Sequence, residues 1–430
     1  MGSDTRQRTD RRTYIAIDLK SFYASVECVE RGLDPFTTNL VVADPTRSKS
    51  TICLAITPAM KKLGVRNRCR VHEIPKDLKY ITAMPRMQLY IDYSSRIYSI
   101  YLNYVSAEDI HVYSIDECFL DVTQYLDLFH VNERGMAKKL MDAVFRETGI
   151  CATAGIGTNL YLCKIAMDIV AKHVDDHIGY LDEAAFKEQM WDHKPLTDFW
   201  RIGSGTAKKL ARYGIHTMGD LARTSLQNES WLYKLFGIDA ELLIDHAWGY
   251  EPCTIKDIKS YRPETNSLSS GQVLMRNYSF TEARIIVNEM TDLLVLDLVD
   301  KQLVTDSVTL YISYDHRFEM PSSRGSINLG EMTNSSKKIM DAVSDLYDRI
   351  TDHHTGIRRV NINCNRVVKE GFTQYDLFTD PDEVEREKNL QHAMLQIRKK
   401  YGKNSVMRGV NLLDYSNFRQ RNNQIGGHRA

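Results

Sequence analysis

The stretch that decides the fold runs from Tyr113 to Asp121 and reads Tyr-Ser-Ile-Asp-Glu-Cys-Phe-Leu-Asp. Its apolar members alternate as in a β-strand, but two adjacent acids, Asp116 and Glu117, interrupt the alternation. Like charges side by side in a half-buried strand repel each other, and a divalent cation would remove that repulsion. The alternative is a strand end at which the acidic pair meets water. A second predicted strand, Tyr14 to Asp18, also ends in an acid, so the two acidic strand ends could converge on a metal.

The composition is that of a soluble globular protein with several domains. The chain has 430 residues, of which 43% are hydrophobic and 26% charged, and this length predicts about three or four domains. No apolar run reaches the length of a membrane span, and the eight scattered cysteines form no zinc or disulfide pattern. We therefore expect a cytoplasmic protein without membrane contact. The 56 basic residues balance the 56 acidic ones, so net charge does not decide for or against a nucleic-acid partner.

Around the acids, predicted strands and helices alternate, which indicates an α+β or α/β layer. We expect Ser21 to cap the helix that follows Asp18, and Pro58 to stand in the first turn of a helix from Thr57 to Gly64. One helix is predicted over residues 159–173. The chain is predicted to be helical from about 183 to 250, and residues 251–265 lack periodicity and indicate a linker.

Residues 266–370 show a regular order of elements. Strands are predicted at 271–275, 306–314, 324–329 and 357–368, and helices at 281–301 and 333–350. The order β-α-β-β-α-β predicts a split sheet with both helices on one face. The open face would display Arg358 and Arg359, which could contact a nucleic-acid backbone; the alternative is an ordinary solvated face. From Phe372 onward we expect a tail with one helix and a basic end.

A glycine-rich hairpin between two helices is predicted over residues 202–221. Gly203 and Gly205 would let backbone N–H groups approach a phosphate at a helix start, and Lys208 and Lys209 would add positive charge. Such contacts hold a nucleic-acid backbone without reading its sequence. The alternative is a plain helical hairpin with glycine caps.

The chemistry that these residue types favour is phosphodiester formation with divalent ions. Asp18, Asp116 and Glu117 are ligand types that Mg²⁺ prefers, and the carbonyl of Leu19 could add an oxygen. Three lysines are candidates for contacts with an anionic substrate, although a single lysine is usually solvated: Lys61, Lys164 and Lys172. The aromatic pair Phe22 and Tyr23 would by default belong to the core of the first helix.

Two motifs, Asp18 to Glu27 and Ser114 to Asp121, resemble those of the Y-family translesion DNA polymerases. The most similar branch is the UmuC/DinB-type enzymes of Gram-positive bacteria. The resemblance continues through Gly155–Gly157, Leu162–Ala166, the hairpin and the β-α-β-β-α-β segment. It therefore covers most of the chain from Tyr14 to Val368.

The resemblance implies a multidomain α+β fold shaped like a right hand. The implied parts are a polar arm (1–12), a palm (13–29 and 89–179), fingers (30–88), a thumb with a helix-hairpin-helix (180–250), a linker (251–265), a little finger (266–372) and a C-terminal tail (373–430).

It also implies roles for particular residues. Asp18, Asp116, Glu117 and the Leu19 carbonyl would bind two catalytic Mg²⁺ ions, and Tyr23 would be a steric gate that excludes a 2′-hydroxyl. The nucleotide would further contact Phe22, Thr57, Lys61 and Lys172. The DNA would contact Gly203, Gly205, Lys208, Lys209, Arg324, Arg358 and Arg359. A Gln-x-x-Leu-Phe peptide for a sliding clamp would consist of Gln374, Leu377 and Phe378.

Two positions depart from the family pattern. Pro58 stands where many members have a tyrosine that touches the triphosphate, and Lys20 stands where many have an acid or Asn. Contacts near the triphosphate and the primer terminus are therefore expected to differ.

The predicted function is low-fidelity, template-directed DNA synthesis by a monomer, in translesion synthesis and DNA repair. The implied partners are primer-template DNA, dNTPs, a sliding clamp and other replication or SOS-response proteins. Two alternatives stay open: a palm-type nucleotidyl cyclase, and a non-catalytic scaffold of the same fold that binds DNA and the clamp.

Overall fold

The computed structural model describes residues 12–47, 50–263, 266–371 and 380–430. The chain divides into two compact units, Met1–Tyr261 and Arg262–Ala430, and the division falls within the predicted linker. No helix in these described ranges is long and apolar enough to cross a membrane. Strands and helices mix in both units, which confirms the predicted α+β class.

The first unit contains eight strands and eleven α-helices in its described residues. In chain order they are β1 Tyr14–Leu19, α1 Phe22–Val29, β2 Leu40–Val42, β3 Ala55–Ile56, α2 Pro58–Lys62, β4 Ile81–Ala83, α3 Met87–Tyr101, β5 Ile110–Val112, β6 Glu117–Asp121, α4 Tyr125–Leu128, α5 Glu133–Thr148, β7 Ala152–Gly157, α6 Leu160–Asp168, β8 Ile178–Leu181, α7 Glu183–Met190, α8 Ser204–Ala211, α9 Met218–Phe236, α10 Asp239–Ala247 and α11 Ile255–Ser260.

The sheet that carries the acids has the order β5-β6-β1-β7-β8. β1 is central and pairs antiparallel with both β6 and β7. Helix α6 packs closely on β7 because Gly155 and Gly157 have no side chains. A Cβ atom at either glycine would lie 2.1–2.3 Å from the helix backbone. These two glycines of β7 therefore set how closely the backbone of α6 approaches the sheet.

The predicted single strand over residues 113–121 is wrong. β5 ends at Val112, β6 begins at Glu117, and the residues between them form a turn in which the N–H groups of Tyr113 and Ser114 donate to the Glu117 carbonyl (3.0 and 3.1 Å). The Ser114 hydroxyl donates to the Asp116 carboxylate (2.6 Å). Short polar side chains that bond locally compete with strand pairing, so Asp116 lies in the turn and only Glu117 enters the strand.

Two helix predictions also need correction. Ser21 precedes α1 but has a left-handed backbone (φ 49°), and its side chain makes no capping hydrogen bond, because an N-cap needs the extended conformation. The predicted helix over 159–173 ends at Asp168, and a short 3₁₀ turn, Val170–His173, follows. Lys164 and Lys172 therefore lie on different elements. The helix with Pro58 in its first turn is confirmed.

The segment predicted as an irregular linker contains helix α11. Thr254 and Asp257 form a reciprocal capping box at its start, and a capping box is a sequence signal that does not depend on apolar periodicity. Ile255 is buried among residues of β1, β6 and α6. Because α11 has only six residues, its apolar periodicity is too short to recognise.

The second unit confirms the predicted β-α-β-β-α-β order. It comprises β9 Asn266–Tyr278, α12 Phe280–Asp300, β10 Leu303–Tyr314, β11 Ser323–Thr333, α13 Ser336–Ile350 and β12 Ile357–Lys369, followed by α14 Pro381–Tyr401, α15 Phe418–Asn422, β13 Gln424–Ile425 and β14 His428–Arg429. Its main sheet has the antiparallel order β11-β10-β12-β9. Val308, Leu310 and Ile312 of β10 pack in one core with α12 and α13.

The expected C-terminal tail is instead largely folded against this unit. The Gln391 side chain is buried and donates to the Asn334 carbonyl (3.2 Å), and Phe418 is buried. Arg408 Nε donates to the carboxylate of Asp292 on α12 (2.8 Å). Arg408, a residue of the predicted basic end, thus neutralises Asp292 on α12, because a carboxylate buried there requires a partner.

We predict that Arg408→Ala lowers the free energy of unfolding of the second unit by about 2 kcal/mol. The Asp292 side chain is 5% exposed and would lose its charged partner; the Arg408 side chain is 44% exposed, which moderates the loss. All four tryptophans lie between residues 191 and 248, so tryptophan fluorescence reports the first unit alone. In chemical denaturation, Arg408→Ala should therefore shift the unfolding transition that is followed by circular dichroism. The transition that is followed by tryptophan fluorescence should be the same as in the wild type.

Lys337→Ala is the matched control, because the Lys337–Glu383 ion pair of the same unit is exposed on both sides (2.9 Å). Loss of this ion pair should lower the free energy of unfolding by less than about 1 kcal/mol. Equal effects of the two variants would contradict the assigned importance of the Asp292 contact.

Candidate active site

The acids predicted from the sequence meet at one end of strands β1 and β6. Asp18 is paired directly across from Glu117 in the antiparallel register, and the N–H of Leu19 donates to the Asp116 carbonyl (2.9 Å). Glu117 is 7% exposed, whereas Asp18 and Asp116 are half-buried. The tertiary fold thus brings Asp18 together with Asp116 and Glu117, which lie about a hundred residues later in the chain.

The acids interact electrostatically. Burial, together with the negative charges of Asp116 and Glu117, raises the pKa of Asp18 to about 7. Burial also raises the pKa of Glu117, and the adjacent Lys164 ammonium opposes that rise. When the ionised form of a carboxyl group is destabilised in this way, a bound cation stabilises that form strongly.

Lys164, which was a candidate for a substrate contact, is instead paired with carboxylates. Its Nζ lies 2.8 Å from Glu117 Oε1, 2.9 Å from Glu117 Oε2 and 3.0 Å from Asp168 Oδ2. The Lys164 side chain is 9% exposed, so this ammonium group belongs to the acidic cluster.

The donor set fits a divalent cation with oxygen ligands. Glu117 Oε1 is buried and accepts no hydrogen bond, since its contact with Lys164 lacks hydrogen-bond geometry. Within the described residues, no three His, Cys, Asp or Glu side chains already surround one point; Glu117 faces Lys164 instead. A cation here would have to draw the carboxylates together.

Tyr23 lies beside the acids at the start of α1. Its ring stacks on Tyr90 of α3, with centroids 4.5 Å apart and planes 17° apart, and burial, helped by the Asp116 charge, raises the pKa of Tyr23. Tyr23 is half-buried, whereas Phe22 is 2% exposed and packs in the core. Tyr23, and not Phe22, is therefore partly accessible from outside the core.

Sequence reasoning missed the residues that support Tyr23. The Tyr90 hydroxyl donates to Glu27 Oε1 (2.8 Å), and Arg86 binds both oxygens of this buried carboxylate (2.9 and 2.8 Å). Glu27 thereby links α1 to α3. A glutamate on the buried face of α1 was the available signal, but its partners are about sixty residues away and follow no local pattern.

Basic residues lie near Asp18. Burial lowers the pKa of Lys61, the charge of Lys172 lowers it further, and Asp18 raises it. Burial likewise lowers the pKa of Lys20, which interacts with Asp18 and Lys61. Lys61 and Lys20 therefore lie near Asp18, and Lys172 lies near Lys61. Thr57 is fully buried, and its hydroxyl accepts a hydrogen bond from the N–H of Leu40 (3.2 Å), which is a structural role.

The glycine hairpin has the predicted form. Gly203 precedes α8 and Gly205 lies in its first turn, and a Cβ at either position would meet nothing within 4 Å. Their backbone is therefore open to a phosphate. Lys208 is exposed, but Lys209 bonds to the Leu235 carbonyl and lies over the Phe236 ring, so Lys209 joins α8 to the end of α9.

The other predicted contacts lie in or next to the second unit. Arg324 and Arg359 are exposed and pair across from Tyr311 and Ser313 of β10, whose side chains lie on the face away from the helices. Arg358 is half-buried at an irregularity of β12. The clamp-peptide residues Gln374, Leu377 and Phe378 lie outside the described residues.

Two sequence models of one family match this chain. The impB/mucB/samB family matches residues 17–168, and the C-terminal domain of the same family matches residues 265–377. The chain belongs to the impB/mucB/samB family. The first match contains the three acids, Tyr23, Lys61 and Lys164, and the second contains the β-α-β-β-α-β unit.

Curated relatives of this family member align along nearly its whole length. UvrX of Bacillus subtilis, named for UV-damage repair, is 30% identical, and the alignment covers 98% of each chain. A DNA polymerase IV of the same species is 29% identical over 96% of this chain and 97% of its own. DNA polymerase IV of Pelotomaculum thermopropionicum is 27% identical over 94% and 96%.

A solved structure shares the fold of this family member. A Y-family DNA polymerase chimera of Dbh and Dpo4 superposes with a TM-score of 0.64 at 20% identity, and the match covers 83% of this chain and 99% of the chimera. The expected Y-family polymerase fold is therefore confirmed.

Proposed function

We propose that this protein is a template-directed DNA polymerase that adds deoxynucleotides to a primer 3′-hydroxyl in translesion synthesis and DNA repair. The observation that carries the proposal is the convergence of Asp18, Asp116 and Glu117 at the end of β1 and β6. The names of the polymerase IV relatives and the Y-family fold agree with it. The reaction is attack of the 3′-hydroxyl on the α-phosphate of a dNTP, with pyrophosphate as the leaving group.

Two Mg²⁺ ions are the cofactor that we propose, held by the three carboxylates and the Leu19 carbonyl. When bound, such ions neutralise the phosphates and lower the pKa of the attacking hydroxyl. The chain's own part is to present the carboxylates at the end of β1 and β6 in a partly dehydrated place, where electrostatic interactions are stronger than in water.

The surrounding side chains would bind and select the nucleotide. Lys61, Lys172 and Lys20 add positive charge beside Asp18, as a triphosphate requires. Tyr23, backed by the ring of Tyr90, would exclude a 2′-hydroxyl by steric contact. The buried Phe22 and Thr57 would act by shaping the core behind this pocket.

We further propose that the chain acts as a monomer in the cytoplasm on primer-template DNA. The exposed backbone at Gly203 and Gly205, with Lys208, would hold a phosphate, and Arg324, Arg358 and Arg359 would follow the DNA backbone. The peptide Gln374–Phe378 would bind a sliding clamp, and other replication or SOS-response proteins would regulate access.

Mg²⁺-dependent primer extension on an undamaged and a lesion-bearing template tests the function. We expect extension past the lesion. Cyclic product formed from nucleotide without DNA would support the cyclase instead, and DNA binding without any product would support the scaffold.

The pH dependence of the rate should report Asp18. Its pKa is raised to about 7, so Asp18 is protonated below that pH, and only the carboxylate binds a cation. At low Mg²⁺ concentration, kcat/KM should therefore rise with pH through about 7. More Mg²⁺ should shift the midpoint to lower pH, because the cation favours the ionised form. A midpoint that does not depend on Mg²⁺ would contradict the assignment.

Deletion of Gln374–Phe378 is expected to weaken binding to a bacterial sliding clamp at least about tenfold, because short peptides of this kind supply a few anchor residues. Titration of the clamp measures the affinity, and primer extension without the clamp is the control, which should not change. Equal affinity of the deletion variant and the wild type for the clamp would contradict the proposed role of this peptide.

A further inference from the structure

Lys164 occupies a place among the acids that the proposed reaction does not by itself explain. Its ammonium contacts both oxygens of Glu117 (2.8 and 2.9 Å) and both oxygens of Asp168 (3.2 and 3.0 Å). Its side chain is 9% exposed, and the Tyr113 ring lies 5.8 Å from its Nζ. A buried ammonium is costly unless it is paired, and here two carboxylates share it.

The packing of α6 places the ammonium there. Gly155 and Gly157 allow the backbone at Cys163 to approach β7 more closely than any side chain would permit, and Lys164 is the next residue of that helix. Asp168 lies one turn further along α6, at the i,i+4 spacing that lets the two side chains meet. The pair is therefore presented to Glu117 by a rigid element.

Glu117 is also the acid that a catalytic cation would need. A cation at its Oε1 would meet an ammonium 2.8 Å from the same atom, and like charges at such a distance repel strongly. The Asp168 side chain is 33% exposed and lies 3.0 Å from the ammonium, so it can hold the ammonium after Glu117 has turned away.

We propose that Lys164 is a positioning residue that competes with the divalent cation for Glu117, and that Asp168 takes over the ammonium group when the cation binds. This inference rests on the proposed function. Lys164 thus holds Glu117 in place without a cation, at the cost of weaker cation binding. Asp168 makes the exchange reversible.

Direct titration of the full-length chain with Mn²⁺, followed by electron paramagnetic resonance without DNA, tests the exchange. Lys164→Met should bind Mn²⁺ about tenfold more tightly, and Asp168→Asn should bind it about tenfold more weakly, since the ammonium would then be held by Glu117 alone. Lys138→Met removes an exposed lysine of α5 and should bind Mn²⁺ as the wild type does. Unchanged binding in both site variants would overturn the proposal.

The double variant separates the exchange from a general charge effect. If Asp168 acts through Lys164, Asp168→Asn should weaken Mn²⁺ binding less in the Lys164→Met background than in the wild type. Equal effects in both backgrounds would mean independent charges and would overturn the exchange. Asp168→Asn changes a partly exposed side chain, so it stays informative if Lys164→Met fails to fold.

The outcome is distinguishable from failure of the proposed function. If the wild type extends primers but both site variants bind Mn²⁺ as the wild type does, only the proposed role of Lys164 is contradicted. A wild type that extends no primer would remove the proposed polymerase and the catalytic meaning of the exchange.

Discussion

Replacing Asp116 or Glu117 by alanine is expected to lower the rate of primer extension at least about 10³-fold while primer-template DNA still binds. Each substitution removes one of three carboxylates that meet at the end of β1 and β6. A cation bound by the remaining acids would lose an anionic ligand, and the charge that develops on the phosphates would be less well neutralised. DNA binding should persist because its proposed contacts lie elsewhere.

Single-turnover extension and a DNA titration measure the two effects separately. Asp127→Ala is the matched control, since Asp127 is an exposed acid in α4 of the same unit, and it should extend primers at the wild-type rate. Substantial extension by either site variant would contradict the metal assignment. Glu117→Ala would also leave Lys164 without one of its two partners, so its thermal stability should be compared with that of Asp116→Ala.

Tyr23→Ala is expected to reduce discrimination against ribonucleotides about 100-fold, which is the scale of steric selection by a pocket wall. The Tyr23 ring is held flat against Tyr90 at 4.5 Å, and Tyr90 is anchored through Glu27 and Arg86. A wall supported in this way cannot easily yield to an added hydroxyl. Removing the ring would leave space where the 2′-hydroxyl of a ribonucleotide would clash.

The ratio of kcat/KM for a dNTP and the matching rNTP measures this effect. Tyr93→Ala provides the control: Tyr93 lies on the same helix as Tyr90, and its hydroxyl binds Glu30 (2.7 Å). Its loss should leave the sugar preference unchanged. If Tyr23→Ala and wild type discriminate equally, Tyr23 is not the gate.

Local sequence patterns predicted the elements of the second unit well. The amphipathic helix α13 and the alternating strand β10 carry strong periodic signals. The acid positions at Asp18 and Glu117 were predicted because charged residues at apolar strand ends are conspicuous. The predicted strand at 113–121 was wrong because the same alternation can run through a turn, where Ser114 bonds Asp116.

The C-terminal segment shows the limit of such patterns. The sequence predicted a tail with a basic end, yet Arg408 pairs with Asp292, and Arg421 donates to Ser270 (3.0 Å), each more than a hundred residues away in the chain. The sequence shows how many charges a segment carries. Which oppositely charged residues they pair with is decided by the packing of the folded chain.

The sequence alone determined the α+β class, the order of elements in the second unit and the acids that form the candidate site, because these depend on residue type and local periodicity. Only the tertiary structure decided that Glu117 faces Lys164 and Asp168, that Tyr90 and Glu27 support Tyr23, and that Lys209 is engaged within the helical hairpin. These contacts mostly join residues that are distant in the chain, and their energies depend on burial and distance. Neither quantity can be read from neighbours in the sequence.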